Sequence, residues 1–75
     1  MAMKKQEIFI KTDYITLGQF LKFAGIISNG FEAKIFIPSN EIFVDNELET
    51  KRGRKLYDGM TIVINGNEFI VRKEK

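Results

Sequence analysis

Lys51, Arg52, Arg54 and Lys55 place four cations in five consecutive positions, with Gly53 as the one uncharged member. Guanidinium groups match phosphate oxygens through paired N–H donors, and ammonium groups add point charge. Glycine lets the backbone turn and approach a strand closely. Cations clustered in this way release condensed counterions when they meet phosphates, which supplies most sequence-independent affinity for nucleic acid. The same run also reads as a solvated charged turn. Four cations with no acid among them repel one another unless a counter-charge lies nearby. From residue types alone, both readings stay open.

A second candidate is Asn29-Gly30-Phe31, at the start of a short helix. Free N–H groups and the helix dipole can hold a phosphate there. Gly30 leaves room for it, and Lys34 follows one turn on. The alternative is an ordinary helix start capped by Ser28 or Asn29, with Lys34 solvated. Glu32 in the first turn suits the dipole and opposes an incoming phosphate. Lys22 points away from the apolar face of an earlier helix. It either extends the basic surface or is a plain surface lysine.

The aromatic residues offer less. Phe20, Phe31 and Phe36 read as core. Phe43 alternates with Ile42 and Val44 and either stacks on a base or packs as cover, with packing favoured. Tyr57 lies beside the basic run and can point outward. No aromatic pair is interleaved with basic residues on one strand, so recognition by shape and phosphate suits the chain better than a base-stacking platform. Asp45, Glu47 and Glu49 match no calcium-loop spacing and read as a solubilising hairpin. Arg72, Lys73 and Lys75 read as a solvated tail.

The composition narrows the function further. The 75 residues carry 12 Lys+Arg against 10 Asp+Glu, a formal net charge of +2. The basic run hides in that small total, because without it acids outnumber bases. With no Cys there is no disulfide, no thiol nucleophile and no Cys-ligated zinc. With no His there is no Ser-His-Asp triad and no imidazole metal site. No cofactor, metal site or catalytic constellation is expected, and a binder is favoured over an enzyme. The N-terminal residues lack the apolar stretch of a signal peptide, and no apolar run is long enough for a membrane span. A cytoplasmic protein without a membrane partner is expected.

These residues need elements to position them. Glu7 to Ile10 alternates as a first strand, and Lys11 to Tyr14 reads as a connection. Thr16 offers an N-cap, and Leu17, Phe20, Leu21 and Ala24 follow on one helical face up to Gly25 at the C′ position. A second helix restarts at Ser28-Asn29-Gly30. Ala33, Phe36 and Ile37 form one face and Phe31 and Ile35 the other, which predicts packing between two layers. Pro38 predicts a stop near Ile37, with Asn40 as a left-handed cap. Ile42 and Val44 share a strand face, and Asp45-Asn46 turns into Glu47-Leu48. Leu56 is a lone anchor and Asp58-Gly59 a turn. Thr61 to Ile64 and Glu68 to Arg72 flank Asn65-Gly66, the strongest hairpin signal. The result is one α+β domain spanning residues 1–75, with its core at about 7–72. Residues 1–6 and 73–75 are expected to fray. Two short helices pack on a small, mostly antiparallel sheet.

Five segments together resemble a known family. They are Thr16-Leu17-Gly18-Gln19-Phe20-Leu21-Lys22 with Gly25, Gly30-Phe31-Glu32-Ala33-Lys34, Ile37, Ile42-Phe43-Val44-Asp45-Asn46-Glu47, and Arg52-Gly53-Arg54-Lys55-Leu56. The pattern, from about Thr16 to Ile64, resembles the S4-type RNA-binding domain, or alpha-L RNA-binding motif. It is most similar to the small stand-alone bacterial variety of the YaaA type. The resemblance implies a helix-loop-helix face beside a hairpin that grips structured RNA, often ribosomal or transfer RNA. It departs from the broad family at Thr16 and Gly30, where cations are common, and at Val44-Asp45-Asn46, where Val-Asn-Gly is usual. The first two departures shift weight to the Lys51–Lys55 loop.

The favoured function is therefore a non-enzymatic module that binds structured RNA. Its expected contacts are Lys51, Arg52, Gly53, Arg54, Lys55, Lys34, Lys22, Gly30 and Asn29. The ribosome, or an RNA-modifying enzyme acting beside it, is a possible setting. The alternative is a β-grasp-like protein-interaction module docking to an acidic partner. The ending Arg72-Lys73-Glu74-Lys75 lacks the Gly-Gly that sulfur carriers of that type need.

Overall fold

The computed structural model describes residues 5–74. The expected fraying of residues 1–4 and 75 lies outside that range. Lys5, Gln6 and Lys73, expected in the frayed ends, lie within strands.

The strands are β1 (Lys5–Ile10), β2 (Tyr14–Thr16), β3 (Ile42–Val44), β4 (Glu47–Leu48), β5 (Lys55–Tyr57), β6 (Thr61–Ile64) and β7 (Asn67–Lys73). The helices are α1 (Leu17–Phe23) and α2 (Ala33–Ser39), the latter entered through a 3-10 turn at Gly30–Glu32. One sheet runs β1-β7-β6-β3-β4, and β2 and β5 form a separate ribbon. All pairings are antiparallel except β1 with β7, which is parallel. This is the expected α+β arrangement, with β6 at the centre of the sheet and β7 between it and the edge strand β1.

Local chemistry explains the boundaries. The Thr16 hydroxyl accepts the Gln19 N–H at 3.4 Å, and the Gln19 side chain accepts the Thr16 N–H at 3.3 Å, a reciprocal capping box. Gly25 ends α1 at φ +78°. Its N–H donates to the Lys22 carbonyl, and the Ile26 N–H donates to the Leu21 carbonyl, the two bonds of a Schellman end. Asp45 and Asn46 both take positive φ in the β3–β4 turn, as do Asn65 and Gly66 in the β6–β7 turn. That is the primed geometry that matches strand twist in two-residue hairpins.

Leu17, Phe20 and Leu21 of α1 are buried, as are Ala33 and Ile37 of α2. They meet Ile42, Val44, Ile62, Ile64, Phe69 and Val71 from the inner sheet face. Phe20 and Phe69 pack edge to face at 5.7 Å. Phe43 is half-buried on the face opposite Ile42 and Val44, across from Val63.

Three expectations for α2 are corrected. Phe31, in the 3-10 turn before α2, and Ile35 are 69% and 64% exposed, because the sheet covers this segment from one side and no second layer forms among the described residues. The helix passes Pro38 and runs to Ser39. A proline this near the end forfeits a single backbone bond, so the helix tolerates it. Asn40 is extended rather than left-handed, and its side-chain amide donates to the Phe36 carbonyl at 2.9 Å, capping the helix from outside.

Candidate nucleic-acid interface

The basic loop is anchored by its backbone. The Leu17 N–H donates to the Arg54 carbonyl at 2.8 Å, and the Gly18 N–H to the Arg52 carbonyl at 2.9 Å. These are amides of the first turn of α1, which lack partners inside the helix. The loop carbonyls satisfy them, so the loop and the helix start form one unit. The β2–β5 ribbon continues this ladder, with Tyr14 opposite Tyr57, Ile15 opposite Leu56 and Thr16 opposite Lys55. Leu56 is fully buried. Its expected role as a lone anchor becomes that of the buried member of a paired strand. Tyr14, expected in a connection, opens β2.

Gly18 marks where three segments meet. A Cβ built on it would lie 3.5 Å from the Arg52 carbonyl oxygen and 3.6 Å from the Cβ atoms of Arg52 and Ala33. The loop, the start of α1 and the start of α2 therefore converge, which brings Arg52 close to the segment carrying Lys34. Lys22 stands one turn beyond Gly18 on the same helix stripe. It also lines a groove with Phe9, Lys11, Ile15, Gln19 and Phe23.

The cations differ in what holds them. Arg54 donates to Glu49 at 2.7 Å, in a partly buried ion pair. The other Glu49 oxygen accepts the N–H groups of Thr50 and Lys51 at 3.1 and 3.0 Å. Glu49 is thus the counter-charge that the run of cations requires, supplied from just outside it. Sequence reading missed this role by grouping Glu49 with the hairpin acids. Its position five residues before Arg54 was the available signal. Lys55 lies over the Tyr14 ring at 5.0 Å, and Lys34 over the Phe31 ring at 5.5 Å. Lys51, Arg52, Lys55, Lys34 and Lys22 form no ion pair among the described residues, whereas Lys5, Arg72 and Lys73 pair with Glu68, Glu7 and Asp13.

Burial on its own raises the Glu49 carboxyl. The Lys51 N–H and the Arg54 guanidinium outweigh it, and together with the Thr50 N–H they hold the group below its ordinary value of 4.5. A carboxyl depressed on folding stabilises the protein above its unfolded value, and that contribution is lost as pH falls through the folded value. Glu49→Gln is therefore expected to flatten the acid limb of the Tm-against-pH curve. A thermal melt series from pH 6 down to pH 3 checks this, and parallel acid limbs would refute it.

The start of the second helical segment is already occupied in part. The Asn29 side chain accepts the Glu32 N–H at 3.2 Å, and the Glu32 carboxylate accepts the Ser28 N–H at 3.0 Å. Gly30 is exposed, with open space where a Cβ would point. Gly53 is likewise exposed and open. Among the described residues, no group of acids is placed to hold a metal ion, and no helix is long and apolar enough to cross a membrane.

Comparison with known proteins identifies the family. The family model described as the S4 domain matches residues 8–72. The chain is also similar to the probable ribosome maturation protein RlbA of Bacillus subtilis (strain 168). Identity is 49% over 59 residues, covering 79% of this chain and 83% of the relative. The family match reaches beyond the Thr16–Ile64 stretch that carries the resemblance in sequence, and takes in the second half of β1 and all but the last residue of β7. This small two-helix chain with its basic loop belongs to the S4 domain family.

Proposed function

We propose that this protein is a non-enzymatic RNA-binding module acting in the cytoplasm during ribosome maturation. Its ligand is folded RNA, ribosomal RNA before transfer RNA. Phosphates meet Lys51, Arg52 and Lys55, with Lys34 and Lys22 extending the track along the two helices. Arg54 and Gly53 shape the loop, and Asn29 and Gly30 leave an open border beside it. The carrying observation is the loop itself: its backbone is tied to the first turn of α1, while Lys51 and Arg52 form no ion pair among the described residues. Such a surface presents charge without first having to order a flexible loop, which lowers the entropic cost of binding. Membership of the S4 domain family and the name of the Bacillus relative support the same reading.

Five unpaired cations on about five phosphates predict a slope of log K against log salt of roughly −3.5 to −4.5. A salt titration with a folded ribosomal RNA fragment measures it. A flat response, or a tagged protein whose partners all survive RNase treatment, would instead favour docking to an acidic protein.

A further inference from the structure

Cross-strand pairing makes a feature that neither strand has alone. Tyr14 of β2 lies directly opposite Tyr57 of β5, with ring centroids 5.7 Å apart and planes tilted by 46°. Lys55 shares the Tyr57 face of β5, because Leu56 between them points into the core. Its ammonium sits over the Tyr14 ring at 5.0 Å. Tyr14 and Tyr57 remain 40% and 46% exposed, so aromatic surface faces solvent at the foot of the basic loop. The neighbouring carboxylates are engaged elsewhere: Asp13 pairs with the Lys73 ammonium, and Asp58 accepts the Lys73 N–H at 2.8 Å.

We propose that the Tyr14–Tyr57 pair, with Lys55 beside it, is a stacking site for one unpaired nucleobase of the RNA. Tyr57 carries the base, since Lys55 already covers a face of Tyr14. Tyr14 holds the Tyr57 ring in place. Lys55 meets the phosphate of the stacked nucleotide, and the next phosphates along the strand reach Arg52 and Lys51. A nucleobase offers a π face whatever its identity, and base–aromatic stacking tolerates any sequence. The occupant that fits is a bulged or looped-out nucleotide flanked by folded RNA. The site rests on the RNA-binding function proposed above and adds a demand to it: the RNA must present a base as well as phosphates.

The chain contains two Tyr and no Trp, so its intrinsic fluorescence comes from these two rings alone. The full chain is titrated with a single-stranded RNA of ~6 nucleotides and with the same backbone lacking every base. The base-bearing strand is expected to quench tyrosine emission and to bind about 5- to 150-fold more tightly than the abasic strand. Tyr57→Leu is expected to remove that difference. Tyr57→Phe keeps a ring and is expected to retain it, which separates stacking from damage to the fold. Lys51→Glu weakens both strands alike. Equal affinity and equal emission for the two strands would overturn the stacking site while leaving phosphate binding intact. Failure of both strands and of folded ribosomal RNA to bind would overturn the RNA reading, and the stacking site with it.

Discussion

A Lys51→Glu, Arg52→Glu double variant is expected to bind folded RNA about 100-fold more weakly than the native chain at ~0.1 M salt. Each phosphate contact contributes roughly 0.7–0.9 to the salt slope, and so about the same number of log units between 1 M and 0.1 M salt. Two lost contacts therefore remove nearly two decades, and the new carboxylates add repulsion. The slope itself should fall in magnitude by about 1.4–1.8. Position matters as well as charge. Arg72 is paired with Glu7 at 2.9 Å on the β1–β7 edge, so Arg72→Gln should change affinity by no more than about 2-fold. Anisotropy titrations at several salt concentrations measure all three proteins. Equal affinity of the double variant and the native chain would place the RNA on some other surface.

Leu56→Ala is expected to have the largest effect on stability, about 2–5 kcal/mol. Leu56 is fully buried and is the one inward residue of β5. Its removal leaves a void beneath the ribbon whose backbone bonds hold the loop on α1. A domain of this size has in total only about 4–11 kcal/mol. The variant should therefore unfold at a much lower urea concentration, with the loop released in the same transition. Tyrosine fluorescence, placed on that ribbon by Tyr14 and Tyr57, should report the loss together with the far-UV signal. A shift below about 1 kcal/mol would mean that the surroundings collapse onto the void.

What the sequence disclosed was largely what neighbouring residues decide among themselves. Thr16 caps α1, Gly25 ends it, and the turns at Asp45-Asn46 and Asn65-Gly66 take positive φ, because each depends on a few adjacent residues. The buried faces of α1 and β3 were equally plain from their spacing. Pairings between distant segments were not. The β2 and β5 strands are three residues each, too short for alternation to announce them, so Leu56 looked solitary and Tyr14 looked like a loop. The parallel pairing of β1 with β7 leaves no local trace either. Phe31 of the 3-10 turn and Ile35 of α2, both exposed, were assigned to a core because their hydrophobicity carried no statement of what lay opposite. The basic loop was conspicuous from its residue types. Its anchoring on α1, the pairing of Arg54 with Glu49 and the aromatic pair at its foot required the fold.

The parallel partnership of β1 and β7 also sets an order of events. Lys5 lies against Glu68, so the first described strand finds its neighbour in the last one. Contacts between residues so far apart close late and slow the folding of a small domain. During synthesis the helices, the basic loop and strands β3 to β6 are all made before β7. Until then β1 has an open edge and the inner sheet face lacks Phe69 and Val71. The five-stranded sheet that backs the two helices is thus complete only once β7 has been made and has slotted between β1 and β6.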